Sequence, residues 1–231
     1  MTLTLTETEK RLQTTDFEAL PKPRKNKGVR GQLLELALGI PNSSKLTDLV
    51  DGELKSYTKG ESVAVTQLRH TLPEIFNNTP FNKSKLGIKI SRTLYVAFDR
   101  NNNFLGTATH TETNNPTVLI EGDYQYICEI IRGRVANGLP LTTITGLNKI
   151  LQIRTKDSKD RNGNYHPIIW EGREISNKGY AFYLTGRYIK SLILDSFFCF
   201  FLKKKKAGGV SNFFVFGDTL HLLYLYYKQS S

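Results

Sequence analysis

An α/β domain of the α+β kind, in which helices flank a mixed and partly antiparallel sheet, is the fold this sequence predicts. Three observations lead there. Segments with the period-two alternation of strands recur between about residues 53 and 110, and again near 149–156 and 180–184. Stretches with helical spacing, at about 27–39 and 121–136, are interspersed with them. The 231 residues, without internal repeat, suffice for one sizeable domain or a domain with a small lobe.

Along the chain, residues about 6–15 are polar and weakly helical, and Pro21-Lys-Pro-Arg-Lys-Asn-Lys27 is a basic connector whose prolines forbid continuous helix. Good helix formers then run to Gly39, which suits a left-handed C-terminal cap. On that helix the Leu and Ala side chains form a broad apolar arc, with Glu35 at its margin beside Gly31 and Leu38. Strands are expected at about 53–57, 62–67, 86–98 and 104–110. Thr93–Phe98 and Phe104–Thr109 flank Asp99-Arg-Asn-Asn-Asn103, the pattern of a hairpin. Ile127, Ile130, Ile131 and Val135 repeat at helical spacing and Gly138 ends that helix. Lys149–Lys156 reads as a strand with Gln152, Arg154 and Lys156 on one face, and Tyr180–Leu184 as a short strand leading into a helix over about 188–202.

A formal charge of +11 and a pI near 9.6 call for an anionic partner, with nucleic acid first because phosphate neutralisation by Lys and Arg supplies most sequence-independent affinity. Charge names a partner class and no reaction. Cys128 and Cys199 lie in apolar helical patterns without metal-ligand spacing and read as buried, reduced thiols. His70, His110, His166 and His221 are likewise scattered. The start lacks the apolar core of a secretion signal, and the apolar run 191–202, interrupted by Asp195, is short of the roughly 20 residues a bilayer span needs. A cytoplasmic protein is expected, with that run a buried helix and Lys203–Lys206 exposed.

The chemistry concentrates between residues 35 and 55. Glu35 on the helix precedes Asp48 and then a Glu-x-Lys pair, Glu53 and Lys55, on a strand. A period of two puts Glu53, Lys55 and Tyr57 on one strand face and Leu54 and Ser56 on the other. Two carboxylates can share a divalent ion with the ammonium beside it, and oxygen donors of this kind suit magnesium. A Glu-x-Lys alone is more often a solvated sheet face. The competing Asp157-x-Lys159 lies among turn residues and lacks the rigid support a metal site needs.

Five segments, in order, resemble the MutH family of mismatch-repair nicking enzymes and GATC-cutting restriction endonucleases. They are Lys27–Gly39, Gly52-Glu-Leu-Lys55, Lys89-Ile-Ser-Arg-Thr-Leu-Tyr-Val96, Leu151-Gln-Ile-Arg-Thr-Lys156 and Ala181-Phe-Tyr-Leu184. The resemblance implies a PD-(D/E)xK nuclease fold over residues 27–202, preceded by an N-terminal segment (1–26) and followed by a basic, aromatic tail (203–231). It assigns catalytic roles to Glu35, Asp48, Glu53, Lys55 and Lys89, and Mg2+ binding to Asp48, Glu53 and Glu35. DNA reading falls to Arg154, Lys156 and Tyr183. The family places its metal-binding Asp seven residues before the Glu, whereas Asp48 lies five before Glu53. Asp51 is nearer still, but Asp51-Gly52 has the look of a turn, so Asp48 is preferred.

By residue type alone, Arg154 and Lys156 suit phosphate or guanine edges, where a bidentate Arg discriminates by roughly 1 to 3 kcal/mol. Tyr183 alone reads as a core tyrosine. The function expected is Mg2+-dependent hydrolysis of a phosphodiester in double-stranded DNA at a short site such as GATC. A restriction enzyme would cut both strands; a repair enzyme would nick one under a MutL-like activator. The alternatives are a basic nucleic-acid-binding protein without catalysis and a branched-DNA nuclease of the same fold.

Overall fold

Sheet pairing dominates the architecture of the computed structural model, which describes residues 3–17, 29–41, 45–112, 117–157 and 159–194. The chain divides into two units, 1–196 and 197–231. The expectations for Cys199, His221, Lys203–Lys206, the tail and the end of the last helix lie outside the described residues. The division falls six residues before the boundary expected at 202, and the first unit takes in residues 1–26.

The first unit is α+β. Its elements are α1 (Leu5–Thr14), α2 (Val29–Ala37), β1 (Glu53–Thr58), β2 (Val63–Gln67), α3 (Leu72–Phe76), α4 (Lys85–Ser91), β3 (Arg92–Phe98) and β4 (Phe104–Thr111). There follow α5 (Val118–Ala136), β5 (Ile144–Thr145), β6 (Leu151–Thr155), β7 (Ile168–Trp170), β8 (Arg173–Ser176) and β9 (Tyr180–Leu184). A final helix is described over 186–194.

One sheet has the order β1-β3-β4, with β1 parallel to β3 (Glu53 opposite Thr93) and the β3–β4 hairpin antiparallel. A second, antiparallel sheet runs β2-β9-β6-β5, and β7 and β8 form a separate ribbon. Alternation along β1 and β3 sends side chains into two cores. Leu54, Leu94, Val96 and Phe98 join Leu5 and Leu12 of α1 and Leu34 of α2 in the smaller one. Tyr57, Tyr95 and Ala97 face the larger core, shared with Ile153 of β6, Phe182 of β9 and Ile127 and Ile131 of α5.

Three expectations need correction. Residues 85–91 are helix, not the start of a strand over 86–98. Ser84 caps that helix by accepting the Gly87 N–H at 3.0 Å, and Leu86 and Ile90 are buried four apart, as helix geometry requires. Gly87 lies so close to the preceding turn that a Cβ would sit 1.9 Å from the Phe81 carbonyl oxygen. The broad apolar arc of α2 is also narrower than read: Leu34 and Leu38 are buried, whereas Leu36 is 74% exposed. Finally α1, with its Thr4 capping box, packs in the smaller core and belongs to the domain.

Candidate active site

The parallel pairing of β1 with β3 brings the start of β1 beside the end of α4, because α4 runs directly into β3. Gly52 permits this approach: a Cβ there would lie 2.7 Å from the Arg92 carbonyl oxygen. Glu53, next in sequence, is 1% exposed. Its Oε1 accepts from Lys89 Nζ on α4 at 2.7 Å and from Lys55 Nζ on its own strand. Lys55 also donates to Asp48 Oδ2 at 3.3 Å, so the two carboxylates share one ammonium. The Asp48 backbone N–H donates to Glu53 Oε2 at 3.2 Å, and the Leu54 N–H donates to Asp48 Oδ2 at 3.3 Å. Burial works against the charge of Lys55, but Glu53 and then Asp48 override it and hold its pKa above the ordinary lysine value.

Glu35 faces the cluster from α2, half-buried. Burial first, then the Asp48 charge, push its carboxyl above the usual range, with Lys55 opposing. From the other sheet, Lys156 follows directly on β6. The residue is exposed overall, but desolvation by surrounding protein atoms, reinforced by the ammoniums of Lys55 and Lys89, lowers its pKa. Six predicted residues from five parts of the chain are thus in electrostatic contact: Glu35, Asp48, Glu53, Lys55, Lys89 and Lys156. Arg154 and Tyr183 form a separate pair, with the guanidinium 4.1 Å from the ring centroid. Tyr183 is buried beneath it.

Asp51 is turned elsewhere. It accepts the Leu5 N–H at 2.7 Å and pairs with Arg92 at 3.1 Å, tying α1 to the start of β3. Asp157, from the competing Asp-x-Lys, accepts backbone N–H groups of Gly179 (2.7 Å) and His166 (3.0 Å) and so shapes its loop. Cys128 is buried and forms no disulfide among the described residues, its thiol pushed up to about 12 by burial.

Sequence reasoning missed a second buried carboxylate, Asp123 on α5, which is fully buried and accepts from the backbone N–H groups of Asn148 (2.6 Å), Ile150 (2.9 Å) and Leu151 (2.9 Å). The available signal was an acid on the apolar face of a helix, among Ile120, Tyr124 and Ile127.

Among the described residues, no group of three or more His, Cys, Asp or Glu side chains is gathered closely enough to cage a metal ion. What converges is the pair Asp48 and Glu53, with Glu35 acting across a longer gap. No helix of the described residues is long and apolar enough to cross a membrane. No protein-family model matches the chain, and comparison with curated proteins finds no relative.

Proposed function

We propose that this chain is a magnesium-dependent DNA endonuclease of the MutH type, a cytoplasmic PD-(D/E)xK enzyme that hydrolyses a phosphodiester at a short duplex site, GATC in the first instance. One observation carries the reading: ammoniums from β1 and α4 converge on a single oxygen of a carboxylate that is 1% exposed. Taking ions out of water costs several kcal/mol each. Backbone donors satisfy a buried carboxylate with less buried charge, as they do at Asp123.

The donor set fits magnesium, a hard cation usually held by one or two carboxylates together with water and substrate phosphate. Asp48 and Glu53 would hold it, and Glu35 would add negative charge from α2. When bound, the ion polarises the phosphate and acidifies water. Lys55, balanced between Asp48 and Glu53, is placed to orient the attacking water and to offset charge on the pentacovalent phosphorus. Lys89 fixes Glu53 and presents a cation to the scissile phosphate. Lys156 brings a third cation from the second sheet, and Arg154, braced on Tyr183, serves base or phosphate contacts from β6. The products would carry 5′-phosphates, as the resemblance implies.

Digestion of unmethylated, hemimethylated and fully methylated GATC duplexes with magnesium, followed by mapping of the ends, tests the proposal. Cleavage at GATC leaving 5′-phosphates is expected. Wild-type protein that binds duplexes but cuts none of them would instead be a non-catalytic nucleic-acid-binding protein. Nicked circles formed only with a MutL-like partner would assign the repair role.

A further inference from the structure

Beyond β6 the chain makes a turn-rich loop, described over residues 156–157 and 159–166, whose two aspartates accept backbone N–H groups. Asp157 accepts the N–H groups of His166 and Gly179 and faces His166 Nδ1 at 3.2 Å. Asp160 accepts those of Asn162 (2.8 Å) and Asn164 (2.9 Å). The loop is therefore shaped by its own carboxylates, and Lys159 is left exposed. Lys159, from the loop, and Lys178, from the turn before β9, each place Nζ 5.3 Å from the centroid of the Tyr165 ring. Tyr165 is 37% exposed. Neither lysine forms an ion pair with a carboxylate among the described residues.

Both ammoniums raise the positive potential around this ring, and an anion docking at the patch offsets it. The ring contributes cation–π attraction that holds both side chains on the same patch. Lys156, at the root of the loop, lies within electrostatic reach of Lys55 and Lys89, so the patch continues the basic face of the candidate active site. We infer that Lys159, Tyr165 and Lys178 form a phosphate clamp for duplex DNA flanking the cleavage site. This inference rests on duplex DNA being the partner. The two ammoniums are no farther apart than twice their distance to the ring. A strand carries one phosphate per about 3.4 Å of helix axis, so both can meet phosphates of a single strand. The clamp carries no sequence preference; its role is affinity and orientation.

Fluorescence anisotropy of full-length protein on a duplex, without divalent ions and between about 50 and 200 mM salt, tests it. Each neutralised phosphate contributes about 0.9 to the slope of log K against log salt, so Lys159→Ala with Lys178→Ala should flatten the slope by about 1.8. Lys159→Arg with Lys178→Arg should keep the wild-type slope. Lys10→Ala with Lys83→Ala, exposed lysines elsewhere, should also keep it. Equal flattening by that control pair, or by the arginine pair, would overturn the clamp, as would no flattening by the alanine pair. Failure of wild-type protein to bind any duplex would overturn the proposed function as well, whereas an unchanged slope on a bound duplex removes the clamp alone.

Discussion

Asp123 and Glu53 are both carboxylates withdrawn from solvent, and they differ in what satisfies them, Glu53 having one backbone donor, the Asp48 N–H, beside its side-chain partners. Asp123 accepts three backbone N–H groups from residues 148–151, donors that the fold itself holds in place. Glu53 accepts two side-chain ammoniums from separate elements, each on a long flexible stem. Backbone donors cannot leave without unfolding the turn before β6. Lysine heads can swing away from the carboxylate, which is then free to take a cation while the ammoniums turn to another anion. A buried charge held by main chain is architecture; one held by side chains is a place where chemistry can occur.

Substitution at both positions should separate the two cases. Glu53→Ala is expected to reduce cleavage by at least about 10² to 10³-fold, the scale for losing a principal electrostatic group. Its duplex affinity should be largely kept, as a binding titration beside a plasmid assay would read. A cleaving Glu53→Ala protein would end the active-site assignment. Asp123→Ala should do the reverse. Three stranded donors make about 3 to 4 kcal/mol of lost stability in denaturant unfolding, with cleavage per folded molecule retained.

His110 extends the contrast to a buried base. It is fully buried, its Nδ1 lies 3.0 Å from the Tyr188 hydroxyl, and Nε2 has no hydrogen-bond partner among the described residues. Burial pushes its pKa down from 6.5 to about 4. The unfolded chain therefore takes up this proton first. Its contribution is complete above about pH 6.5 and is lost as pH falls toward 4, on the order of 3 kcal/mol in all. His110→Gln should flatten that part of the stability profile, and an unchanged profile would show that the ring titrates normally.

The smallest effect is expected at Asp51. Asp51→Asn weakens the Arg92 pair and the Leu5 contact, both partly exposed, for about 1 kcal/mol. Cleavage should persist in this variant and fail in Asp48→Asn. The opposite ranking would move the candidate metal ligand from Asp48 to Asp51.

Local pattern made several elements readable. The β3–β4 hairpin showed itself through alternation around Asp99–Asn103, α5 through its isoleucine spacing, and β9 through its compact aromatic run. Residues 85–91 misled because Leu86, Ile88 and Ile90 alternate with polar residues as a strand does; the Ser84 cap and the packing of Gly87 on Phe81 decide for helix. At the site, Asp48, Glu53 and Lys55 lie within eight residues and share a local signature. The contact of Lys89 with Glu53 spans 36 residues and has no local signal, and Lys156 approaches from another sheet. Only the family resemblance put Lys89 in view, and strand alternation marked Lys156 as a phosphate-binding candidate without linking it to this cluster. Asp123 was missed because one acid in an apolar helix resembles an ordinary exception until its three donors are seen.

The parallel register of β1 and β3 has a kinetic consequence. Parallel neighbours cannot be joined by a tight turn, so residues 59–91 must be threaded before Glu53 comes to lie opposite Thr93. Closing a loop of that length precedes any reward from the pairing, which places this step among the slower events of folding. On the ribosome, the acid at the start of β1 waits for some forty further residues before its α4 ammonium and the strand that seats it have both emerged. Chains that have not yet closed this pairing therefore lack the assembled charge cluster, which arrives only with the late, long-range closure of the sheet.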